Sequence, residues 1–162
     1  MKLELKRKRL GKTNYRKRLK LLLANKPRLV VRKSLKNISV QIVEYDGKGD
    51  RVILSAHSSE LKKYGWQGNK GNMPTSYLVG LLIGNKAKKK DIKELVLDIG
   101  LQNSVKGSRI YSLLKGCIDT GLNIPHSKNI LPMEDRIKGK HIKNFDANKF
   151  EEIKNKISGE KK

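Results

Sequence analysis

A chain of 162 residues suits one domain and is long enough to bury a real core. Lys and Arg number 38 against 15 Asp and Glu, a net charge of +23, so the chain repels itself until a polyanion relieves it, and nucleic acid is the leading partner class. No apolar run approaches the roughly 20 residues of a membrane span, no secretory leader pattern is present, and Cys117 stands alone, which excludes an intrachain disulfide and a cysteine-based zinc site. A cytosolic chain is the expectation.

Residues 1–25 read as a basic arm. Lys2, Lys6, Arg7, Lys8, Arg9, Lys12, Arg16, Lys17, Arg18 and Lys20 face one acid, Glu4. Such a block stays extended or loosely helical until phosphates neutralise it. Leu19, Leu22 and Leu23, with Tyr15 one turn earlier, place a short amphipathic helix inside it.

Residues 26–43 are the organising stretch. Leu29 and Val31 alternate with Arg28, Val30 and Arg32, and Ile38, Val40 and Ile42 alternate with Ser39 and Gln41. Both runs carry the period of a strand with one wet face. The segment from Lys33 to Asn37 joins them as a hairpin tip. Between Lys26 and Val43 there is no acid. The wet face is therefore expected to present Arg28 and Arg32, roughly 13 Å apart at strand rise, to an RNA backbone. Ser34 and Asn37 are expected to add hydrogen bonds at the tip, beside Lys33 and Lys36.

Asp46 to Asp50 is a turn, and Arg51 to His57 a third antiparallel strand. Ser58 or Ser59, with Glu60 behind, is placed to cap one helical turn. The glycine-rich loop that follows holds Trp66 and Lys70, and Trp66 is expected to plug the core rather than stack on a base. Pro74 opens a helix carrying Tyr77, Leu78, Leu81 and Leu82, in which Gly80 and Gly84 allow close approach to the sheet. Lys86, Lys88, Lys89 and Lys90 end it.

Leu95 to Ile99 is a continuous apolar run, suited to a strand covered on both faces in parallel pairing. Ser108 is placed as the N-cap of a second helix with the stripe Ile110, Leu113, Leu114, Cys117 and Ile118, ending at Gly121. Lys106, Ser108 and Arg109 surround its N-terminus, where free N–H groups suit a phosphate. Leu122 to His126 turns away, with room for a short edge strand. Residues 131–162 read as a charged tail, either one or two short helices or a frayed end. The fold class is thus α/β: a mixed sheet of three antiparallel strands, then a β-α-β-type crossover, with helices packed on it and a basic N-terminal arm. The α/β RNA-binding domain spans residues 26–130.

Several stretches resemble the L18 family of large-subunit ribosomal proteins in its archaeal form. They are Thr13-Asn14-Tyr15 with Arg16 and Arg18, Lys26 to Ser34, Ser55 to Ser59, Tyr64-Gly65-Trp66, Gly71 to Pro74, Tyr77-Leu78, Gly80 to Leu82, Asp98 to Leu101, Gly107-Ser108, and Gly121 to His126. Leu35 and Asn37 depart from the archaeal pattern at the hairpin tip. The resemblance implies a ribonuclease H-like arrangement. It also implies a protein that binds 5S rRNA and helps attach it to the large-subunit rRNA in the central protuberance, beside neighbouring ribosomal proteins. It implies no cofactor, no metal, no small-molecule substrate and no membrane. The candidate RNA-binding residues are then Arg7, Arg9, Lys12, Thr13, Asn14, Tyr15, Arg16, Arg18 and Lys20 on the arm; Arg28, Arg32, Lys33, Ser34, Lys36 and Asn37 on the hairpin; and Lys70, Lys106, Ser108 and Arg109 in the loops.

Two other readings compete. A metal-dependent nuclease of ribonuclease H-like fold needs clustered carboxylates. Asp98 is one candidate, but the first strand offers no acid. Gly65, Gly68 and Gly71 lack the Lys-Ser/Thr that completes a phosphate loop, and His57, His126 and His141 are scattered. A non-ribosomal RNA-binding module fits the charge but lacks the strand aromatics of an RNA-recognition motif.

Overall fold

The computed structural model describes residues 3–143 and 145–159, so Lys2 of the arm lies outside the described residues. Three antiparallel strands form first: β1 (Arg28–Lys33), β2 (Ile38–Tyr45) and β3 (Asp50–His57). A fourth, β4 (Val96–Asp98), pairs parallel to β1, and the sheet order is β3-β2-β1-β4. The expected alternation holds. Leu29, Val31, Ile38, Val40 and Ile42 are buried on one face of the sheet.

That face is covered by α3 (Met73–Lys88). From Met73 to Gly84 every residue of α3 is buried, the signature of a helix enclosed on all sides. The sheet lies on one side, and α4 (Arg109–Asp119), α5 (Glu134–Ile137) and α6 (Ala147–Gly159) lie on others. Asn72 caps α3, its Oδ1 accepting from the Thr75 N–H at 3.0 Å. Gly80 and Gly84 do make a close approach, but to a helix and not to the sheet. A Cβ on Gly80 would sit 2.1 Å from the Leu113 carbonyl oxygen of α4, and one on Gly116 would sit 2.4 Å from the Tyr77 carbonyl. The two backbones touch because neither glycine holds them apart.

Two other expectations change, and of the two readings of the C-terminal segment the helical one holds. The apolar run from Leu95 yields only a three-residue strand at the sheet edge. Leu95 is fully buried while Val96 and Leu97 are half-buried, and among the described residues the sheet continues beyond the run only as an isolated parallel bridge, Glu94 to Asn123. The turn after β3, a 3-10 helix from Ser58 to Tyr64, is capped by His57 rather than by a serine. His57 Nδ1 accepts from the Ser59 N–H at 3.1 Å, and Glu60 accepts from the His57 N–H at 2.9 Å. The C-terminal segment is no frayed end: Phe150, Ile153 and Ile157 of α6 form a buried stripe against α3. Trp66 plugs the core beside Phe145, with ring centroids 6.0 Å apart. Cys117 is a packed core thiol, whose pKa burial pushes well up.

Candidate nucleic-acid interface

The arm forms two short helices, α1 (Lys6–Arg9) and α2 (Tyr15–Leu22), neither with a buried residue. Some of its candidate residues hold the arm's own shape. Arg7 donates to the Thr13 hydroxyl at 2.9 Å, and the Asn14 side chain caps α2 by accepting from the Lys17 N–H at 3.1 Å. Tyr15 is half-buried at the start of α2. Arg9, Lys12, Arg16 and Lys20 are exposed, as are Lys6 and Lys17, and none has a carboxylate partner among the described residues.

Arg18 reaches back to the sheet and meets Asp50 Oδ1 at 2.9 Å. Arg28 Nη2 donates to the same oxygen at 2.7 Å, while Arg28 Nη1 donates to Asp98 Oδ2 at 2.8 Å. The Arg28 side chain is only 3% exposed. The expectation that Arg28 presents its charge to an RNA backbone is therefore corrected: its guanidinium is spent inside the protein. Arg32 also turns to Asp98, donating to its carbonyl at 3.0 Å and approaching its Oδ1 at 3.4 Å. It remains 46% exposed and keeps one side open to solvent. The reason is topological. Parallel pairing sets Asp98 opposite Val30, so it lies diagonal to both Arg28 and Arg32 on the same face. The hairpin carries no acid of its own up to Val43; Asp50 and Asp98 supply two from elsewhere in the chain. Asp98 had shown itself in the sequence only as a candidate metal ligand, and Asp50 only as the end of a turn, neither as a partner of Arg28. The only signal was the parallel-strand reading of the run that ends at Asp98.

The hairpin tip is a clamped turn. Asn37 N–H donates to Ser34 Oγ at 3.0 Å, and Ser34 N–H donates to the Asn37 carbonyl at 2.8 Å. Asn37 Oδ1 accepts from the Ser58 hydroxyl at 3.2 Å. The Ser34 hydroxyl and the Asn37 N–H, carbonyl and Oδ1 thus already have partners within the protein. Arg109, at the start of α4, donates to the Gly71 carbonyl at 2.5 Å and the Ser34 carbonyl at 3.3 Å. It ties the tip to the loop before α3, bringing Lys33, Lys36, Lys70 and Arg109 to one end of the sheet. Lys36 is exposed, and Lys33 and Lys70 are half-buried. Lys106 is exposed in the loop ahead of α4. Ser108 occupies the N-cap position, yet its hydroxyl makes no capping bond and is buried without a partner.

Two basic surfaces result, one on the arm and one at the tip, at opposite ends of β1. Its six residues separate them by roughly 17 Å. Two of the lysines at the end of α3 serve otherwise. Lys86 binds Glu60 at 2.7 Å and the Ser55 carbonyl at 2.8 Å, and Lys90 reaches the Ile53 carbonyl at 3.4 Å. They cover the free edge of β3.

Residues 1–95 and 85–127 match the family described as ribosomal large subunit proteins 60S L5, and 50S L18. The large ribosomal subunit protein uL18 of Methanococcus maripaludis is 54% identical over 139 residues, covering 86% of this chain and 72% of that protein. The chain belongs to the L18 family. The match to the L18 family takes in residues 7–109, which include the arm, the hairpin, the loops before α3 and α4, and every candidate residue. Among the described residues, no helix is long and apolar enough to cross a membrane.

Proposed function

We propose that the chain serves in the large ribosomal subunit by binding 5S rRNA and helping attach it to the large-subunit rRNA in the central protuberance, beside neighbouring ribosomal proteins. Family membership supports the ribosomal setting. The observation that carries the RNA reading is the partition of positive charge. Lys138, Lys140, Lys154 and Lys156, near and on the last two helices, each meet a carboxylate, as do Lys8 and Arg18 within the arm. Lys6, Arg9, Lys12, Arg16, Lys17 and Lys20 of the arm meet none among the described residues. The arm and the tip therefore hold unspent charge for phosphates, the main source of affinity in such complexes. Arg9, Lys12, Arg16, Lys20, Arg32, Lys33, Lys36, Lys70 and Lys106 are the residues proposed to contact RNA.

The strand order, three antiparallel strands and a parallel fourth reached through α3, supports the ribonuclease H-like arrangement. A structural rather than catalytic role is supported by Asp98, whose carboxylate is held by Arg28, Arg32 and the Gly100 N–H. The test is binding to purified 5S rRNA with other small RNAs as competitors, together with co-sedimentation with large subunits at physiological salt. No preference for 5S rRNA would overturn the reading.

A further inference from the structure

Leu35 stands at the apex of the hairpin tip with 93% of its surface exposed, the highest value among the large apolar side chains described. A single exposed leucine is ordinary on a protein surface. This one differs in its seat. The turn beneath it is closed by the Ser34–Asn37 bonds, anchored through Asn37 to Ser58, and held by Arg109 through the Ser34 carbonyl. The loop before α3 lies close under it: a Cβ on Gly71 would come within 2.9 Å of the Leu35 carbonyl oxygen. The leucine is thus presented on a backbone already ordered by folding, so binding through it costs little further entropy.

Its surroundings select the partner. Lys33 and Lys36 flank it in the chain, and the Gly71 contact and Arg109 bring Lys70 and a guanidinium to the same end of the sheet. A protein partner needs a contiguous interface of about 800 Å² on each side, with an apolar centre. One leucine among cations does not supply that. RNA does supply the complement, since phosphates meet the cations while loops and bulges leave base faces unstacked. Apolar side chains are used against nucleic acid as wedges beside unstacked bases. We propose that Leu35 is a base-contacting residue that packs on an unstacked nucleobase of the bound RNA, while Lys33 and Lys36 hold the adjoining phosphates. The inference rests on the 5S rRNA reading and specifies one contact within it.

The experiment measures 5S rRNA affinity across a salt series for the full chain, for Leu35→Ala, for Leu35→Met and for Lys33→Ala with Lys36→Ala. Leu35→Ala is expected to bind about 10-fold more weakly at every salt concentration, with the slope of log affinity against log salt unchanged. Leu35→Met, similar in volume, is expected to restore the affinity. The double lysine variant is expected to flatten the slope by roughly 1.4 to 1.8. Chemical probing of the bases should show a nucleotide protected by the full chain and reactive in the Leu35→Ala complex. An affinity for Leu35→Ala equal to that of the full chain overturns the proposal. So does a loss that changes the salt slope, or one that exposes no base. Normal 5S binding by Leu35→Ala with failed entry into large subunits would assign the leucine to a neighbouring protein or the large-subunit rRNA, and would equally overturn it. If the full chain shows no preference for 5S rRNA, the underlying reading fails, and this contact with it.

Discussion

Asp98→Asn isolates the role of the buried charge network. Asparagine keeps the shape of the side chain and still accepts from the Gly100 N–H, but it removes the negative charge facing a guanidinium that is 3% exposed. Breaking a buried pair by removing one partner costs about 3–5 kcal/mol, because the remaining charge is left in a poor solvent. Here Arg28 retains Asp50 at 2.7 Å, which places the expected loss at the low end, about 3 kcal/mol. For a domain of this size, each kcal/mol moves the midpoint by about 2–4 °C, so Tm should fall by about 6–12 °C. Asp50→Asn supplies the contrast. Its side chain is 32% exposed and lies where solvent screens the interaction, so its loss should be about 1 kcal/mol or less. Replacing the whole buried pair, Arg28→Met with Asp98→Leu, should recover much of the Asp98→Asn loss, since no unpaired charge then remains inside. Thermal and urea unfolding followed by circular dichroism measure all three. Equal and small shifts for Asp98→Asn and Asp50→Asn would show that water reaches the Arg28 guanidinium, and would refute the account of Arg28 as a spent charge.

Gly80→Ala should destabilise by about 3 kcal/mol in urea unfolding, because its Cβ would meet backbone rather than a movable side chain. Arg109→Ala should lower Tm by several degrees, through the loss of two bonds from a charged donor worth about 1.5–3 kcal/mol, and should speed amide exchange at the hairpin tip. The hydrogen bond and charge of Lys26 hold the Glu94 carboxyl below its usual pKa. That pair contributes above the ordinary glutamate range and is lost as pH falls through the lowered value, so Lys26→Gln should move the NMR titration of Glu94 upward. Deleting residues 1–20 should flatten the salt dependence of RNA binding, and an unchanged slope would make the arm a bystander.

The sheet was legible because alternation with period 2 is a local signal. Leu29, Val31, Ile38, Val40 and Ile42 declare a buried face within one short stretch, and the structure buries all five. The enclosed helix was legible in outline from Pro74 and the apolar residues after Tyr77. Its contact partner was not, because glycine spacing states that a backbone can approach something without naming what. The last helix was read alternatively as a frayed end because its charges mask the stripe of Phe150, Ile153 and Ile157, three residues in a window rich in Lys and Glu. His57 as a cap escaped notice because imidazole is a rarer acceptor at that position than the serines beside it.

The same distinction between local and distant signals decides the RNA surface. Counting charges along residues 26–43 makes Arg28 and Arg32 equally good phosphate ligands. They differ only in which acids the fold sets beside them. Asp98 arrives through parallel pairing with β1, and Asp50 through the start of β3, and both meet at Arg28. Arg32 meets only one of them, at 3.4 Å, and keeps a solvent-facing side. A basic residue is available to RNA when its neighbours in space, rather than in sequence, leave its charge unspent. By that criterion Arg28 orders the sheet and helps carry the arm, through the Asp50 carboxylate it shares with Arg18. On the proposed reading, phosphate binding then falls to Arg32, the tip lysines and the open face of the arm. Removal of the charge at Arg32 and at Arg28 should therefore separate cleanly: Arg32→Gln should lower RNA affinity with little change in Tm, while Arg28→Gln should lower Tm first. If both variants keep the Tm and lose RNA equally, then neither arginine is spent within the fold and the surface must include both.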